Sequence, residues 1–91
     1  MGIRRRNRPK KLAGKLKEIR SRLRIGQAEM AQKLQEVEKG IYPGMISRYE
    51  HGKLEPSLIL ILEYARLAGV STDVLIDDEL DLPGLRLKGR K

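Results

Sequence analysis

Residues 42–53, YPGMISRYEHGK, contain the side chains best suited to contact a polar or charged partner. Arg48 carries a planar fork of N–H donors, which matches the O6 and N7 acceptors of a guanine edge and also the oxygens of a phosphate. Ser47, His51 and Lys53 add further polar groups within a few residues. Arg48 is therefore the strongest candidate for contact with a polar or anionic partner, with a solvated surface charge as the alternative.

The same stretch has the spacing of a short helix. Met45, Ile46 and Tyr49 recur at helical intervals. Pro43 suits the first turn of a helix, and Gly52 favours the left-handed conformation that ends one. Because so short a helix is not stable alone, neighbouring elements must hold it through its apolar side chains and leave its polar side outward.

Two helices are predicted before this one. After Pro9, apolar residues at steps of four, three and four predict the first helix, and a shorter stripe after Gly26 predicts a second, which ends near Gly40. The first stripe is Leu12, Leu16, Ile19 and Leu23, with Lys15, Lys17, Arg22 and Arg24 off it, and the second stripe is Met30, Ala31, Leu34 and Val37.

A fourth helix is predicted over residues 58–68, with Ser57 as its N-cap and Gly69 at its end. This helix is apolar on nearly every side. One stripe contains Leu58, Ile61, Leu62, Ala65 and Ala68, and a second contains Leu60, Tyr64 and Leu67. The second stripe is either buried in the core or meets another subunit. Ser71 is then predicted to cap a short fifth helix.

These elements predict one all-α domain of five helices over residues 9–76. Residues 1–8 are expected to form a flexible basic arm, and residues 77–91 a short C-terminal tail. Leucines on both sides of Pro83 and Gly84 leave two alternatives for the tail, which are two short strands or a disordered segment.

The charge of this 91-residue chain is +8 and unevenly placed. Residues 1–24 hold eleven of the twenty basic residues and one acid, whereas residues 73–81 hold five acids and no base. This asymmetry favours a polyanionic partner, nucleic acid first and an anionic membrane second. The alternative is a basic tail that only aids solubility. The absence of cysteine excludes a disulfide frame. With no signal peptide or membrane span in the sequence, we expect a cytoplasmic protein.

Two short helices joined by a turn, the second with outward side chains, follow the helix-turn-helix plan, which places the second helix in the DNA major groove. Glu50 adds a second indication, because it lies at the C-terminal end of the third predicted helix, where the macrodipole disfavours an anion. Arg20, on the first helix, is the candidate to compensate it and to tie the third helix to the scaffold.

Residues 12–76 resemble the helix-turn-helix domains of the lambda repressor and Cro type, also called the XRE family. The matching segments are IRSRL, GQAEMAQKL, ISRYEHGKLEPS and ILEYARLAGVSTDVLI. The resemblance implies a lambda repressor-like fold. It also implies a sequence-specific transcriptional regulator that binds double-stranded DNA, as a two-fold homodimer on a palindromic site.

The resemblance further implies roles for individual residues. Arg20 and Glu50 match a structural ion pair, and Ile46 matches a core position. Gln27 and the turn at His51 match phosphate contacts. Residues 42–45 and Arg48 match the positions that reach base edges, and for Arg48 a phosphate contact or a solvated surface charge is the alternative.

Other basic and polar residues are candidates on their chemistry alone. Ser47 and Lys53 are candidate phosphate contacts or simply solvated side chains. The arginines of the arm, Arg4, Arg5, Arg6 and Arg8, are expected to follow the DNA backbone or enter the minor groove.

The sequence departs from the family pattern in two places. The segment QEVEK, residues 35–39, lengthens the connection before the third helix, so either the second helix runs on or a loop bulges out. Pro43 and Gly44 stand where side-chain donors are common, and neither can contact a base through a donor. Base reading therefore falls to Arg48, Tyr42 and Met45, the last of which can meet a thymine methyl group.

No pattern in the sequence indicates catalysis, a metal site or a cofactor. There is no nucleophile with a base partner and no glycine-rich phosphate loop, and the one histidine, His51, is expected to be an ordinary surface group. A second functional hypothesis is an antitoxin or protein-interaction module built on the same fold, with a protein partner. A third, a membrane-surface domain, fits the basic first helix but explains neither the third helix nor Glu50, so no membrane partner is expected.

Overall fold

The computed structural model describes residues 8–83, which form five helices and no strand. In chain order they are α1 (Leu12–Leu23), α2 (Gln27–Leu34), α3 (Pro43–Glu50), α4 (Leu58–Ala68) and α5 (Thr72–Ile76). The predicted all-α class with five helices is thereby confirmed for this part of the chain. None of these helices combines the length and the apolar content that crossing a bilayer requires.

One apolar core joins the helices and holds α3 in place. α3 packs on α1 and α2, whereas α4 packs on α1 and α5. Helix α1 therefore contacts both the α2–α3 pair and the α4–α5 pair. α3 contributes Ile46 and Tyr49, which are 0% and 3% exposed. The other core residues are Leu12, Leu16, Ile19, Met30, Ala31, Leu34, Ile41, Leu60, Ile61, Tyr64, Ala65, Leu75 and Leu82. Because so small a domain buries a limited area, each of these apolar side chains matters to its stability.

Of the two alternatives for the second apolar stripe of α4, burial in the core is the one that the structure confirms. Leu60 and Tyr64 of the second stripe are completely buried, so the alternative in which that stripe meets another subunit is wrong. The exposed apolar side chains are Leu58, Ile59 and Leu62, of which Leu58 is 82% exposed. Periodicity could not identify the inner face because this helix is apolar on nearly every side.

The end of α3 has the backbone arrangement that its glycine predicted. Gly52 has a φ of 72°. The Lys53 amide donates to the Arg48 carbonyl at 2.9 Å, and the Gly52 amide donates to the Tyr49 carbonyl at 3.3 Å. These two bonds form a Schellman motif, which satisfies the last carbonyls of the helix and turns the chain away from it.

The serine caps predicted for α4 and α5 differ in outcome. The Ser57 Oγ accepts the Leu60 amide at 3.2 Å, so its predicted role as N-cap of α4 is confirmed. Ser71 precedes α5 in an extended conformation, but its side chain makes no capping hydrogen bond. Ser71 therefore occupies the predicted N-cap position of α5, but the expected capping hydrogen bond from its side chain is absent.

The QEVEK segment forms hydrogen-bonded turns and does not extend α2. The amides of Val37 and Glu38 both donate to the Leu34 carbonyl at 3.0 Å. Gly40, with a φ of 87°, then redirects the chain so that Ile41 enters the core. Val37 was predicted on the inner face of the second helix, but it is 41% exposed. That assignment is wrong because the regular helix ends three residues earlier.

Residues 77–83, assigned to the tail on sequence grounds, are bonded to both ends of α1. The Asp78 carboxylate accepts the backbone amides of Lys10 and Lys11 at 2.8 and 3.0 Å. Leu82 is buried in the core, and the Pro83 carbonyl accepts Arg22 Nη1 at 2.8 Å. The packed domain thus continues past residue 76. No strand occurs in residues 77–83, and the second predicted strand lies outside the described residues.

Lys15 is a second link between α1 and this segment. It lies off the apolar stripe, as its spacing indicates, yet it is only 6% exposed. Its Nζ donates to the Val74 carbonyl at 2.7 Å and to the Asp77 carbonyl at 3.0 Å. Its methylene stem is buried while the ammonium group binds carbonyls at the end of α5, where a cation is favoured.

The stability of the domain should depend on the ionisation of Asp78. Hydrogen bonds from the backbone amides of Lys10 and Lys11 hold the pKa of the Asp78 carboxyl below its ordinary value. The stabilisation that the ionised Asp78 carboxylate provides is therefore present above the unfolded-state pKa, and it is lost as the pH falls through the folded-state pKa. Asp78→Asn should destabilise the domain near neutral pH, and this difference should shrink progressively in acid.

Urea unfolding of Asp78→Asn and of the unchanged protein, over a series of pH values, measures this effect. Asp81→Asn is the matched control, because Asp81 is exposed. A stability difference for Asp78→Asn that stays constant into strong acid would contradict the assignment.

Candidate nucleic-acid interface

A buried ion pair connects the end of α3 to α1. Arg20 Nε lies 2.6 Å from Glu50 Oε2, and Arg20 Nη2 lies 3.0 Å from Glu50 Oε1. The side chain of Glu50 is 1% exposed and that of Arg20 is 17% exposed. Hydrogen bonding to Glu50 raises the pKa of Arg20. The bidentate geometry fixes the direction of both side chains.

The same pair also holds the amino end of α2. Gln27 Nε2 donates to Glu50 Oε1 at 3.3 Å, and Arg20 Nη1 donates to the Ile25 carbonyl at 2.9 Å. The carboxylate at the C-terminal end of α3 therefore has donors from both α1 and α2. This network sets the three helices relative to one another at one point.

Removing one partner of this pair should destabilise the domain strongly. Arg20→Ala leaves the buried Glu50 carboxylate without its main compensation, which costs about 3–5 kcal/mol for pairs of this kind. The matched control is Glu18→Ala, which breaks the more exposed Glu18–Arg22 pair on α1 and should cost about 0.5 kcal/mol or less. Denaturant unfolding of the two variants measures both values. Similar losses in the two variants would show that the Arg20–Glu50 pair stabilises the domain no more than an exposed pair does.

The outer side of α3 brings two of the three predicted base-reading residues together. Tyr42 is exposed at the amino end of α3, and Arg48 is exposed further along it. Arg48 Nη1 lies 3.4 Å from the Tyr42 hydroxyl oxygen, at hydrogen-bond distance. Met45 is half-buried and packs against the core, so it is less accessible than the other two. Ile46, assigned to the core by resemblance, is completely buried.

The amino end of α3 is built to hold Tyr42 in an extended conformation. Tyr42 is the N-cap residue, with φ −134° and ψ 164°, and Pro43 follows it as the first residue of the helix. A residue before proline is disfavoured in the helical region, which accounts for this geometry. A Cβ atom added at Gly44 would lie 3.0 Å from Tyr42 Cε2. The tyrosine ring therefore lies close over position 44, where a side chain would require it to shift by a few tenths of an ångström.

Three polar side chains near the end of α3, those of Ser47, His51 and Lys53, differ in whether they are bonded to the helix itself. His51 Nδ1 donates to the Ser47 carbonyl at 2.7 Å, since a carbonyl oxygen can only accept. The imidazole is thus turned back onto its own helix, and Ser47 Oγ lies 3.5 Å from the same nitrogen. Lys53 is exposed directly after the turn at Gly52. Of these side chains, Lys53 is the one that extends into solvent without a bond to α3.

The predicted phosphate contacts outside α3 are placed as follows. Gln27 is half-buried at the start of α2, with its amide nitrogen bonded to Glu50. Arg8 is exposed, and together with Lys10 and Gly52 it lines a cavity of about 280 Å³ between the start of α1 and the exit of α3. Arg8, the last residue of the basic arm, thus lies beside the end of α3. Arg4, Arg5 and Arg6 lie outside the described residues.

Two contributors to this surface were missed at the level of sequence. Gly44 was identified only as a position without a donor, although its missing side chain makes room for the Tyr42 ring. The hydrogen bond between Tyr42 and Arg48 was also not anticipated. Their separation of six residues is not one of the helical spacings that place side chains directly over each other, so no sequence signal marked the pair.

Within residues 8–83, no group of three or more His, Asp or Glu side chains is arranged to hold a metal ion. Comparison of the chain with protein-family models, curated proteins and solved structures found no match. The relationship to the lambda repressor and Cro type accordingly stays a prediction based on the motifs of the sequence.

Proposed function

We propose that this protein is a helix-turn-helix regulator of the lambda repressor type, which binds double-stranded DNA by placing α3 in the major groove. The observation that carries the proposal is the division of α3 into two sides. Ile46, Tyr49 and Glu50 bind it to the domain, while Tyr42 and Arg48 face outward. A helix held rigidly on one side with an arginine on the other suits recognition of base edges in the major groove.

The distribution of charge supports the same function. The chain carries a net charge of +8. Lys53, Arg8 and Lys10 are exposed near the exit of α3, where phosphates would lie on either side of a helix inserted in the groove. We propose that these residues contact the backbone and position α3, and that Arg48 contributes to the choice of sequence. Binding, not catalysis, is the proposed activity.

Selection of bound sequences from a random duplex pool tests this function. We expect one enriched motif, and a palindromic motif would indicate that two molecules bind with two-fold symmetry. Recovery of unrelated sequences with equal affinity would contradict sequence-specific binding.

Backbone contacts should appear in the salt dependence of binding to the selected duplex. Lys53→Ala should weaken all duplexes alike and reduce the slope of log affinity against log salt by about 0.9, the value for one phosphate contact. Arg66→Ala is the matched control, because Arg66 is exposed on α4, which packs on α1 and α5. Titrations by fluorescence anisotropy at several salt concentrations give both slopes. If the two variants have the same slope, Lys53 does not contact a phosphate.

The exposed apolar surface of α4 supports a second proposal, which is that two copies of this chain pair through it. Leu58, Ile59 and Leu62 lie within one and a half turns of each other and are 82%, 52% and 36% exposed. Exposed apolar groups of this kind mark contact surfaces. We propose a second copy of this chain as the occupant, because a palindromic DNA site brings two copies together.

Light scattering over a range of protein concentrations tests this pairing. The unchanged protein should approach twice the mass of one chain, and Ile59→Glu should reduce it to the mass of one chain. Val37→Glu is the control, since Val37 is 41% exposed on the connection between α2 and α3. A single-chain mass at every concentration, with and without a palindromic duplex, would exclude a second copy on this surface.

A further inference from the structure

The two residues that follow Tyr42 shape its backbone and the space around its ring. Pro43 restricts Tyr42 to the extended backbone conformation observed, with φ −134° and ψ 164°. The ring then lies over Gly44, where an added Cβ would be 3.0 Å from Cε2 and 3.3 Å from Cδ2. Contacts of that length would force the ring to move. The sequence Tyr-Pro-Gly therefore gives Tyr42 an extended backbone and leaves room for its exposed ring at the start of α3.

The hydroxyl group of this ring restrains the guanidinium of Arg48. Arg48 Nη1 lies 3.4 Å from the hydroxyl oxygen. Within residues 8–83, no carboxylate forms an ion pair with Arg48. The guanidinium is thus held by a neutral group that leaves its charge uncompensated and its other N–H groups available. An arginine restrained before binding loses less conformational freedom when it contacts a partner.

We propose that Tyr42 is a specificity-determining residue that positions Arg48 against a guanine in the major groove. This inference rests on the proposed DNA-binding function. Bidentate contact with O6 and N7 requires two N–H groups of the guanidinium to lie in the plane of the base. A third N–H bonded to Tyr42 limits the rotation of the group about its long side chain. Pro43 and Gly44 provide no side-chain donor. The proposal is that the chain relies instead on one donor group, the Arg48 guanidinium, which Tyr42 orients.

The experiment measures discrimination at a single base pair of the selected duplex. For the unchanged protein, replacing the guanine contacted by Arg48 should weaken binding about 5- to 150-fold. Arg48→Ala should remove this preference. Tyr42→Phe keeps the ring and removes the hydroxyl group, and should lower the preference about 2- to 10-fold, the range for one hydrogen bond. Gly44→Ala should act in the same direction by displacing the ring.

Three further measurements separate positioning from other effects. The salt slope should be unchanged in Tyr42→Phe, because no phosphate contact is lost. In the Arg48→Ala background, Tyr42→Phe should cause no further loss of preference. Thermal unfolding should be almost unchanged in Tyr42→Phe, since Tyr42 is 48% exposed.

The possible failures are distinguishable. If the protein selects one sequence and Arg48→Ala removes the preference while Tyr42→Phe keeps it in full, the positioning role is wrong and the proposed function stands. If Arg48→Ala keeps the preference, Arg48 does not contact the base and the inference is wrong. If the unchanged protein shows no preference among duplexes, the proposed function and this inference both fail.

Discussion

The carboxylate of Glu50 is buried at the C-terminal end of α3, where the carbonyl groups of the helix make a negative charge unfavourable. The buried charge is compensated because Arg20 donates to both carboxylate oxygens and Gln27 donates to one of them. These partners belong to α1 and α2, so one compensated charge fixes three helices. Apolar contacts through Ile46 and Tyr49 hold α3 in the core, but such contacts have little directionality. The bidentate ion pair adds a directional contact at the end of α3, on the same side as these buried apolar residues.

The amino end of α3 has few side-chain donors on its outer surface, which bears on the proposed recognition of DNA. Pro43 and Gly44 place no polar side chain on the outer surface, which weakens direct reading of bases at these positions. The same two residues control the backbone and the free space around Tyr42, whose hydroxyl group meets Arg48. In the proposed complex, few groups would contact the bases, and one of them, Arg48, would be positioned by Tyr42, six residues before it. In the proposed complex, Arg48 would depend on this local geometry as much as on its own charge.

The uneven charge of the chain also has a local structural use. Asp78, from the acidic segment, accepts two backbone amides just before α1, and Lys15, from the basic part of the chain, donates to carbonyls at the end of α5. The hydrogen bonds of Asp78 and of Lys15 all join α1, or the residues just before it, to residues after α4. Since α1 also carries Arg20, the segment after α5 supports the element from which α3 is held. The charges that suggested a polyanionic partner therefore serve in part to hold the domain together.

Local features of the chain were enough to predict the five helices, the cap at Ser57 and the left-handed glycine after α3, because each depends on residues within a turn of one another. The macrodipole argument, together with the family resemblance, pointed to Arg20 and Glu50, the two residues that the structure pairs. Tertiary structure alone decided the inner face of α4, the course of residues 35–41, the burial of Lys15, the attachment of residues 77–83 and the meeting of Tyr42 with Arg48. In each of these the outcome depends on groups that neighbouring elements or backbone turns bring close in space. A periodic pattern shows that a face is apolar, but only packing shows which face is covered.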